Sequence, residues 1–162
     1  LGLTGADARI ITATKRPVRE IDYGFAGDIA QVDAARLLAF LNTGLTPVLA
    51  PLTADLNGQL LNTNADTIAS ATATALARQG AEVRLVYCFE KPGVLLDPDN
   101  DGSVIAEISP TYYARLKADG VVSKGMIPKL DNAFAALAQG VAEVRIIHAD
   151  NMASGVGTRL TR

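Results

Sequence analysis

The chain has 162 residues, of which 49% are hydrophobic and 20% are charged, a composition typical of a folded globular protein. With a net charge of -2, scattered basic residues and only 5% aromatic residues, the sequence lacks the basic face and the stacking surface of a nucleic-acid-binding protein. Every apolar run is shorter than the roughly 20 residues of a membrane span, and the first residues lack a signal-peptide pattern. We therefore expect one cytoplasmic domain over residues 1–162, with no nucleic-acid or membrane partner.

Apolar runs of strand length alternate with segments of helical periodicity, and this order predicts an α/β fold. In the first half of the chain, the pattern predicts a strand at 8–14, a short edge strand at 27–32, a helix at 33–44, a strand at 46–53 and a hairpin turn at Asn57-Gly58. An alanine-rich helix that ends near Gly80 follows. In the second half, the pattern predicts strands at 82–89, 103–108 and 142–148 and helices that begin at Ser109-Pro110 and near Pro128.

Three short polar side chains precede the alanine-rich helix, in the sequence LNTNADT. Asn62 and Asn64 alternate as they would on one face of a strand end, and Asp66 falls at the helix start, where a carboxylate interacts favourably with the helix dipole. One capping residue satisfies a helix start, so three polar residues exceed that need. Amides offer both a donor and an acceptor to a ligand with carboxylate and amide groups. An N-cap with turn asparagines is the alternative, which these residues alone leave open.

A second polar feature lies at the start of the last predicted helix, in the sequence SKGMIPKLDNAF. Met126, Leu130, Ala133 and Leu137 form an apolar stripe, which places Lys129 in the first helical turn. A cation there opposes the helix dipole at a cost of about 0.3–1 kcal/mol. A bound phosphate would remove that cost, because backbone N–H groups and the ammonium would converge on it. A solvated lysine is the alternative interpretation.

A third feature is the loop CFEKPGVLLDPDNDGS, which is either a nucleotide-contacting loop or a surface connection. Asp97, Asp99 and Asp101 lack the glutamate that ends a calcium-binding loop, and no other metal-ligand spacing is present, so we expect no protein metal site. His148 has no serine or cysteine motif near it, which leaves a nucleophilic triad without support. Cys88 lies alone in an apolar run and is expected to be a buried strand thiol.

Four segments together resemble the carboxyl-terminal half of acetylglutamate kinases, which are members of the amino acid kinase family. In chain order they are GQLLNTNADTIASATATAL, EKPGVL, GVVSKGMIPKLDNAF and GVGTRL. The resemblance covers nearly the whole chain, and its most specific elements are NxNAD and GMIPK. It implies a three-layer αβα sandwich with a mainly parallel sheet, of which this half mainly binds ATP. The amino-terminal half, with its glycine-rich phosphate loop and first catalytic lysine, is expected elsewhere in the protein.

The resemblance also implies a reaction, in which ATP with Mg²⁺ phosphorylates the side-chain carboxylate of an N-acylated glutamate in arginine biosynthesis. Asn62 would hold the α-carboxylate of the amino acid, with Asn64 in support. Asp66 would orient catalytic lysines, and Lys129 would neutralise charge on the transferred phosphoryl group. The implied nucleotide contacts are Glu90, Lys91, Pro92, Gly93, Val94, Val122 and Ser123. The family also implies a homodimer or larger homo-oligomer.

The sequence departs from the family pattern in several places, among them a short passage HADNMASGVGTRL, and two of these departures leave alternatives open. Glu90 stands where aspartate is usual, and Phe89 is larger than the usual serine or threonine. The segment IDYGFAGDI differs from better-known members and lies where the acyl group would be sensed, so N-succinyl-L-glutamate is an alternative to N-acetyl-L-glutamate. A non-catalytic domain of the same fold that binds nucleotide or amino acid is the alternative to a kinase.

Overall fold

A computed structural model describes residues 1–122 and 125–162 of the chain. These residues form two compact units, Leu1–Ala81 and Glu82–Arg162, and each is described by itself. The prediction of a single domain over residues 1–162 stays a prediction.

Besides a 3₁₀ helix at Asp7–Arg9, the first unit contains six strands and two α-helices. They are β1 (Gly2–Thr4), β2 (Ile11–Lys15), β3 (Gly27–Val32), α1 (Ala34–Asn42), β4 (Val48–Ala50), β5 (Leu52–Ala54), β6 (Leu60–Asn62) and α2 (Ala65–Arg78). One sheet has the order β3-β2-β5-β6, and β1 pairs with β4 in a second, parallel pair. Its core is a buried cluster of Ile10, Ile11, Leu37 and Ile68, which brings the apolar faces of both helices onto the strands.

The second unit contains four strands and two helices. They are β7 (Arg84–Phe89), β8 (Glu107–Ile108), α3 (Pro110–Ala118), α4 (Ile127–Ala138), β9 (Glu143–His148) and β10 (Gly157–Leu160). The sheet order is β7-β9-β10-β8, in which β9 runs parallel to β7 and antiparallel to β10. Helix α4 packs against β9, and it buries Leu130, Ala133, Ala136 and Leu137 as its apolar stripe predicts.

The α/β prediction is confirmed, and most of the predicted elements are present. Within the described residues, the parallel strand pairs are β1–β4, β2–β5, β7–β9 and β8–β10, against three antiparallel pairs. The side chain of Asp33 caps α1 by accepting from the N–H of Arg36, and Ser109 caps α3 in the same way. Gly58 adopts a φ of 86° in the turn that joins β5 to β6, as the Asn-Gly signal predicts. Strand β3 lies at a sheet edge, as expected.

Two predicted strands differ from the structure. Residues 46–53 form two strands instead of one, because the chain passes from β4 to β5 at Pro51, and these strands belong to different sheets. Proline has no N–H for a ladder and marks a natural break between strands. Of residues 103–108, only Glu107–Ile108 form a strand, while Val104 makes a single antiparallel bridge to Leu95. The segment before β8 therefore forms a hairpin with the preceding loop.

The prediction of a buried Cys88 is also wrong, since this side chain is exposed. Along β7, Leu85 and Tyr87 point into the core, and the alternation of a strand places Cys88 on the opposite face. An uninterrupted apolar run does not reveal which of its two faces is covered. Among the described helices, none has the length and apolar character needed to cross a membrane.

Gly27 offers a test of the packing in the first unit. A Cβ atom at this position would lie 2.7 Å from Thr63 Oγ1 and 2.8 Å from Leu61 Cβ. Gly27→Ala should therefore lower the free energy of unfolding by about 1–3 kcal/mol through overpacking. Gly2→Ala is the matched control, because its Cβ would meet nothing within 4 Å. Denaturant unfolding of the full-length protein measures both, and equal stability of the two variants would contradict the close contact.

Candidate functional site

The polar residues before α2 alternate with buried ones at the end of the β5–β6 hairpin. Asn62 is the last residue of β6, and it is exposed like Asn64, whereas Leu61 and Thr63 are buried. The expected shared face of Asn62 and Asn64 is therefore present. The hydroxyl of Thr63 lies 2.8 Å from that of Thr53 and donates to the carbonyl of Gly27. These buried contacts hold the segment that carries Asn62 and Asn64 against the sheet.

Asn64 is the N-cap of α2. Its Oδ1 accepts from the backbone N–H of Thr67 at 3.0 Å, which is the bond that a capping asparagine makes. Asp66 is the second residue of the helix, so its carboxylate lies where the N-terminal end of the helix dipole favours negative charge. Both the capping interpretation and the placement of Asp66 at the helix start are confirmed, while the roles of these residues toward a ligand stay predictions.

Lys129 is the third residue of α4 and lies in its first turn, as predicted. Its stem is partly buried, and its Nζ lies 5.6 Å from the ring centre of Phe89 and 5.9 Å from that of Tyr87. Both aromatic residues belong to the end of β7. The ammonium is thus directed toward the carboxyl end of this strand, the edge at which α/β sheets bind ligands.

The first turn of α4 is anchored to α3 by Tyr113. Its hydroxyl lies 2.8 Å from Asp131 Oδ1 and 3.1 Å from the carbonyl oxygen of Ile127, and its ring stacks on Phe134 at 5.1 Å. Lys117 adds an ion pair with Asp131 at 3.3 Å. Burial raises the pKa of Tyr113, and the hydrogen bond to Asp131 raises it further, so the hydroxyl stays protonated. These contacts fix the helix turn that carries Lys129.

A cavity of about 220 Å³ lies between the loop after β7 and the residues before α4. It is lined by Phe89, Lys91, Gly93, Val94, Leu95, Pro98, Val121, Val122 and Met126. Four of the residues expected to contact nucleotide are in this lining, namely Lys91, Gly93, Val94 and Val122. Glu90 and Pro92 are outside the lining, and Ser123 lies outside the described residues. The structure thus brings together most of the predicted nucleotide contacts.

Gly93 and Val94 are held against β10 by a buried threonine. The hydroxyl of Thr158 accepts from the N–H of Val94 at 2.8 Å and donates to the carbonyl of Ile105 at 2.7 Å. A Cβ atom on Gly93 would lie 2.8 Å from that hydroxyl, so the approach requires glycine. At the rim, Lys91 pairs with Asp101 at 2.9 Å, and this hydrogen bond raises the pKa of Lys91.

No group of three or more histidine, cysteine, aspartate or glutamate residues that could hold a metal is found among residues 1–122 and 125–162. In the acidic loop, Asp97 Oδ1 accepts from the N–H of Asp99, and Asn100 Oδ1 accepts from the N–H of Gly102. These side chains therefore stabilise the turn of the hairpin.

Comparison with known proteins identifies the family. The sequence profile described as Amino acid kinase family matches residues 1–148. The chain belongs to this family. Acetylglutamate kinase of Bacteroides thetaiotaomicron is 52% identical over 162 residues, which cover all of this chain and 63% of that protein. The chain thus spans less than two thirds of the length of this curated relative.

Solved structures of similar proteins agree with this assignment. The crystal structure of smu.665 from Streptococcus mutans UA159 is 31% identical, with a TM-score of 0.76, and the match covers 94% of this chain and 57% of that one. N-acetylglutamate synthase from Neisseria gonorrhoeae, complexed with coenzyme A and N-acetyl-glutamate, is 25% identical with a TM-score of 0.82. That match covers 98% of this chain and 37% of the synthase chain. The expected amino acid kinase fold is therefore confirmed.

Some residues of this candidate site have no clear signal in the sequence. Tyr87 and Leu95 lie in apolar runs, where nothing distinguishes a core residue from one beside a ligand. Thr158 had one available signal, since it lies in the GVGTRL segment that resembles the family. A threonine in an otherwise apolar buried strand needs hydrogen-bond partners, and this requirement could have indicated its contacts.

Thr158→Val tests the anchor of the loop. The substitution keeps the side-chain shape and leaves the buried N–H of Val94 without its acceptor, so the free energy of unfolding should fall by about 1–3 kcal/mol. Affinity for ADP should also fall, because the loop that lines the cavity is released. Thermal unfolding and calorimetric titration measure these effects. Thr14→Val, at an exposed position of β2, is the control. If Thr158→Val lowers stability but leaves the ADP affinity unchanged, the loop after β7 does not contribute to nucleotide binding.

Proposed function

We propose that the protein containing this chain is an acetylglutamate kinase, which transfers the γ-phosphoryl group of ATP to the side-chain carboxylate of N-acetyl-L-glutamate. A carboxylate oxygen forms a bond to the γ-phosphorus, the bond between that phosphorus and the β,γ-bridging oxygen breaks, and ADP leaves. The product is an acyl phosphate, an early intermediate of arginine biosynthesis. ATP enters as its Mg²⁺ complex, in which the phosphate oxygens hold the ion.

One observation carries this proposal: Phe89 lines the 220 Å³ cavity and also lies 5.6 Å from the ammonium of Lys129. A base or ribose in the cavity would leave its phosphates near a cation at a helix N-terminus. Phosphoryl transfer depends on positioning and on stabilising charge on the transferred group, more than on covalent help from the protein. Lys129 is suited to that task because its side chain is held in place before the phosphates arrive.

The residues before α2 are suited to the amino-acid substrate. Asn62 is exposed at the end of β6, and we assign to it the α-carboxylate of the acylglutamate, with Asn64 in support. Asp66 is assigned the orientation of the catalytic lysines. These roles rest on the match with acetylglutamate kinases and on the exposure of the two amides. That Asn62, Asp66 and Lys129 converge on one cleft stays a prediction.

N-succinyl-L-glutamate is the alternative substrate, and a second cavity in the first unit favours it. This cavity of about 530 Å³ is lined by Arg16, Pro17, Arg19, Glu20, Ile21, Tyr23 and Asp28. Asp28 already pairs with Arg16 at 2.6 Å, so of the two guanidinium groups in the lining we assign that of Arg19 to a second carboxylate, beside the carboxylate of Glu20. If this cavity takes the acyl group, it has room for a chain longer than acetyl.

The family resemblance also supports a cytoplasmic homodimer or larger homo-oligomer, and light scattering of the full-length protein across micromolar concentrations tests the assembly. The alternative of a non-catalytic domain predicts nucleotide binding without turnover. A full-length protein that binds ADP and forms no acyl phosphate would favour that alternative.

Lys129→Ala tests the proposed catalytic role. Removing the ammonium that stabilises charge on the transferred phosphoryl group should lower kcat by about a hundredfold to a thousandfold, while the KM for the acylglutamate changes much less. Folding should be retained, because the buried stripe of α4 is formed by other residues. The assay traps the acyl phosphate with hydroxylamine, alongside thermal unfolding. Arg115→Ala removes an exposed cation of α3 and is the control. Wild-type turnover in folded Lys129→Ala protein would show an ordinary solvated lysine.

Arg19→Ala distinguishes the two acyl substrates. For a kinase that uses N-acetyl-L-glutamate, the wild-type kcat/KM should be higher with the acetyl than with the succinyl substrate. Arg19→Ala should then change the acetyl reaction by less than about threefold, because a surface charge contributes little there. The opposite preference, together with a loss of succinyl turnover in Arg19→Ala, would establish the succinyl alternative. Both substrates are compared in the hydroxylamine assay with the full-length protein.

A further inference from the structure

Two aromatic rings at the end of β7 face the ammonium of Lys129. Tyr87 and Phe89 are two residues apart, so their side chains leave the same side of the strand. The ring centres lie 5.9 and 5.6 Å from Lys129 Nζ, within the distance at which a cation is attracted to the face of an aromatic ring. Tyr87 is only 4% exposed, so one ring of the pair is fixed in the core of the second unit.

The two rings lie near a position of α4 at which the helix dipole is unfavourable to the ammonium of Lys129. The N-terminal end of a helix dipole is positive and repels an ammonium in the first turn. The faces of the two rings carry negative electrostatic potential and attract the same group. Because Lys129 is partly buried, little solvent separates these charges. The rings therefore attract the ammonium in a place where the helix dipole repels it.

Phe89 also has a second contact, because it lines the 220 Å³ cavity after β7. Leu95 lines the same cavity and carries no ring that could attract the ammonium. A molecule that enters the cavity and touches the Phe89 ring thus touches one of the groups that hold the lysine.

We propose that Tyr87 and Phe89 are positioning residues, which preorganise Lys129 for the transferred phosphoryl group, and that Phe89 couples occupation of the cavity by nucleotide to the placement of this lysine. The inference rests on the proposed kinase function and deepens it. It accounts for a large aromatic residue at position 89, since a small side chain would neither reach the ammonium nor form a wall of the cavity.

A double-mutant cycle between Phe89 and Lys129 tests the proposal in the full-length protein. Phe89→Leu keeps an apolar side chain and removes the ring face. Its kcat should fall by about 3-fold to 30-fold, the range expected for a partly desolvated cation and ring, while the KM for the acylglutamate stays within about twofold. In the Lys129→Ala background, the same substitution should change kcat by less than about twofold. An equal loss in both backgrounds would overturn the proposal.

Tyr87 supplies a second arm of the test. Tyr87→Leu should lower kcat in the same direction as Phe89→Leu, whereas Tyr87→Phe keeps the ring and should restore most of the turnover lost in the leucine variant. Thermal unfolding shows whether each variant is folded. If Tyr87→Leu does not fold, the Phe89 cycle decides the outcome, because Phe89 is less buried than Tyr87. Equal turnover of folded Tyr87→Leu and Tyr87→Phe proteins would remove Tyr87 from the proposal.

Titration with AMP-PNP, a nonhydrolysable ATP analogue, separates this inference from the proposed reaction. Phe89→Leu and Lys129→Ala should be non-additive in the dissociation constant, by at least about threefold. Leu95→Ala is the matched control, because it alters a cavity wall that carries no aromatic ring, and its effect should be additive with that of Lys129→Ala. If Phe89→Leu and Lys129→Ala are non-additive in AMP-PNP binding but the protein forms no acyl phosphate, the kinase reaction is refuted and the coupling is retained. Additive effects of Phe89→Leu and Lys129→Ala on the AMP-PNP dissociation constant, in a protein that still forms acyl phosphate, would refute the coupling to nucleotide alone.

Discussion

The buried hydroxyl of Thr158 joins three segments of the second unit that are distant in sequence. It accepts from Val94 in the loop after β7, donates to Ile105 before β8, and belongs itself to β10. Thr158 is fully buried, so both bonds form away from competing water. This arrangement also requires glycine at position 93, where any side chain would meet the threonine. One hydroxyl group thus determines the course of the loop that lines the cavity.

A second set of hydrogen bonds, made by Tyr113, positions the start of α4. Tyr113 holds the carbonyl of Ile127 and the carboxylate of Asp131 in the first turn of α4, and this turn carries Lys129. The loop anchored by Thr158 and the helix anchored by Tyr113 approach each other at Phe89, which lines the cavity and contacts the lysine. One buried and one partly buried set of hydrogen bonds therefore fix the parts that the proposed phosphoryl transfer requires, and neither anchor is itself a proposed reacting group. Such an arrangement provides preorganisation without placing extra charge in the site.

The sequence predicted features that depend on local chemistry, and it missed those that depend on which surfaces meet. Asp33 and Ser109 were recognisable as helix caps, because a cap is a relation between residues three apart. The stripe that places Lys129 in a first turn is equally local. Cys88 was misplaced because an apolar run does not say which side of a strand is covered. The single strand expected at 46–53 failed because the change of sheet at Pro51 depends on partners far along the chain.

The capping bond of Asn64 is compatible with the ligand role that we propose for the same side chain. The cap uses only the amide oxygen, Oδ1, which accepts from Thr67. The NH₂ group of the same amide carries two donors and takes no part in that bond. The capping bond holds the Oδ1 atom against the end of the helix, so the NH₂ group of the same planar amide points away from the helix. The Asn64 side chain is exposed. A capping asparagine at this position therefore presents donors suited to a carboxylate at no further cost in side-chain ordering. Serine would also cap the helix, but it would lack the fixed pair of donors, so the capping requirement alone does not explain the choice of asparagine.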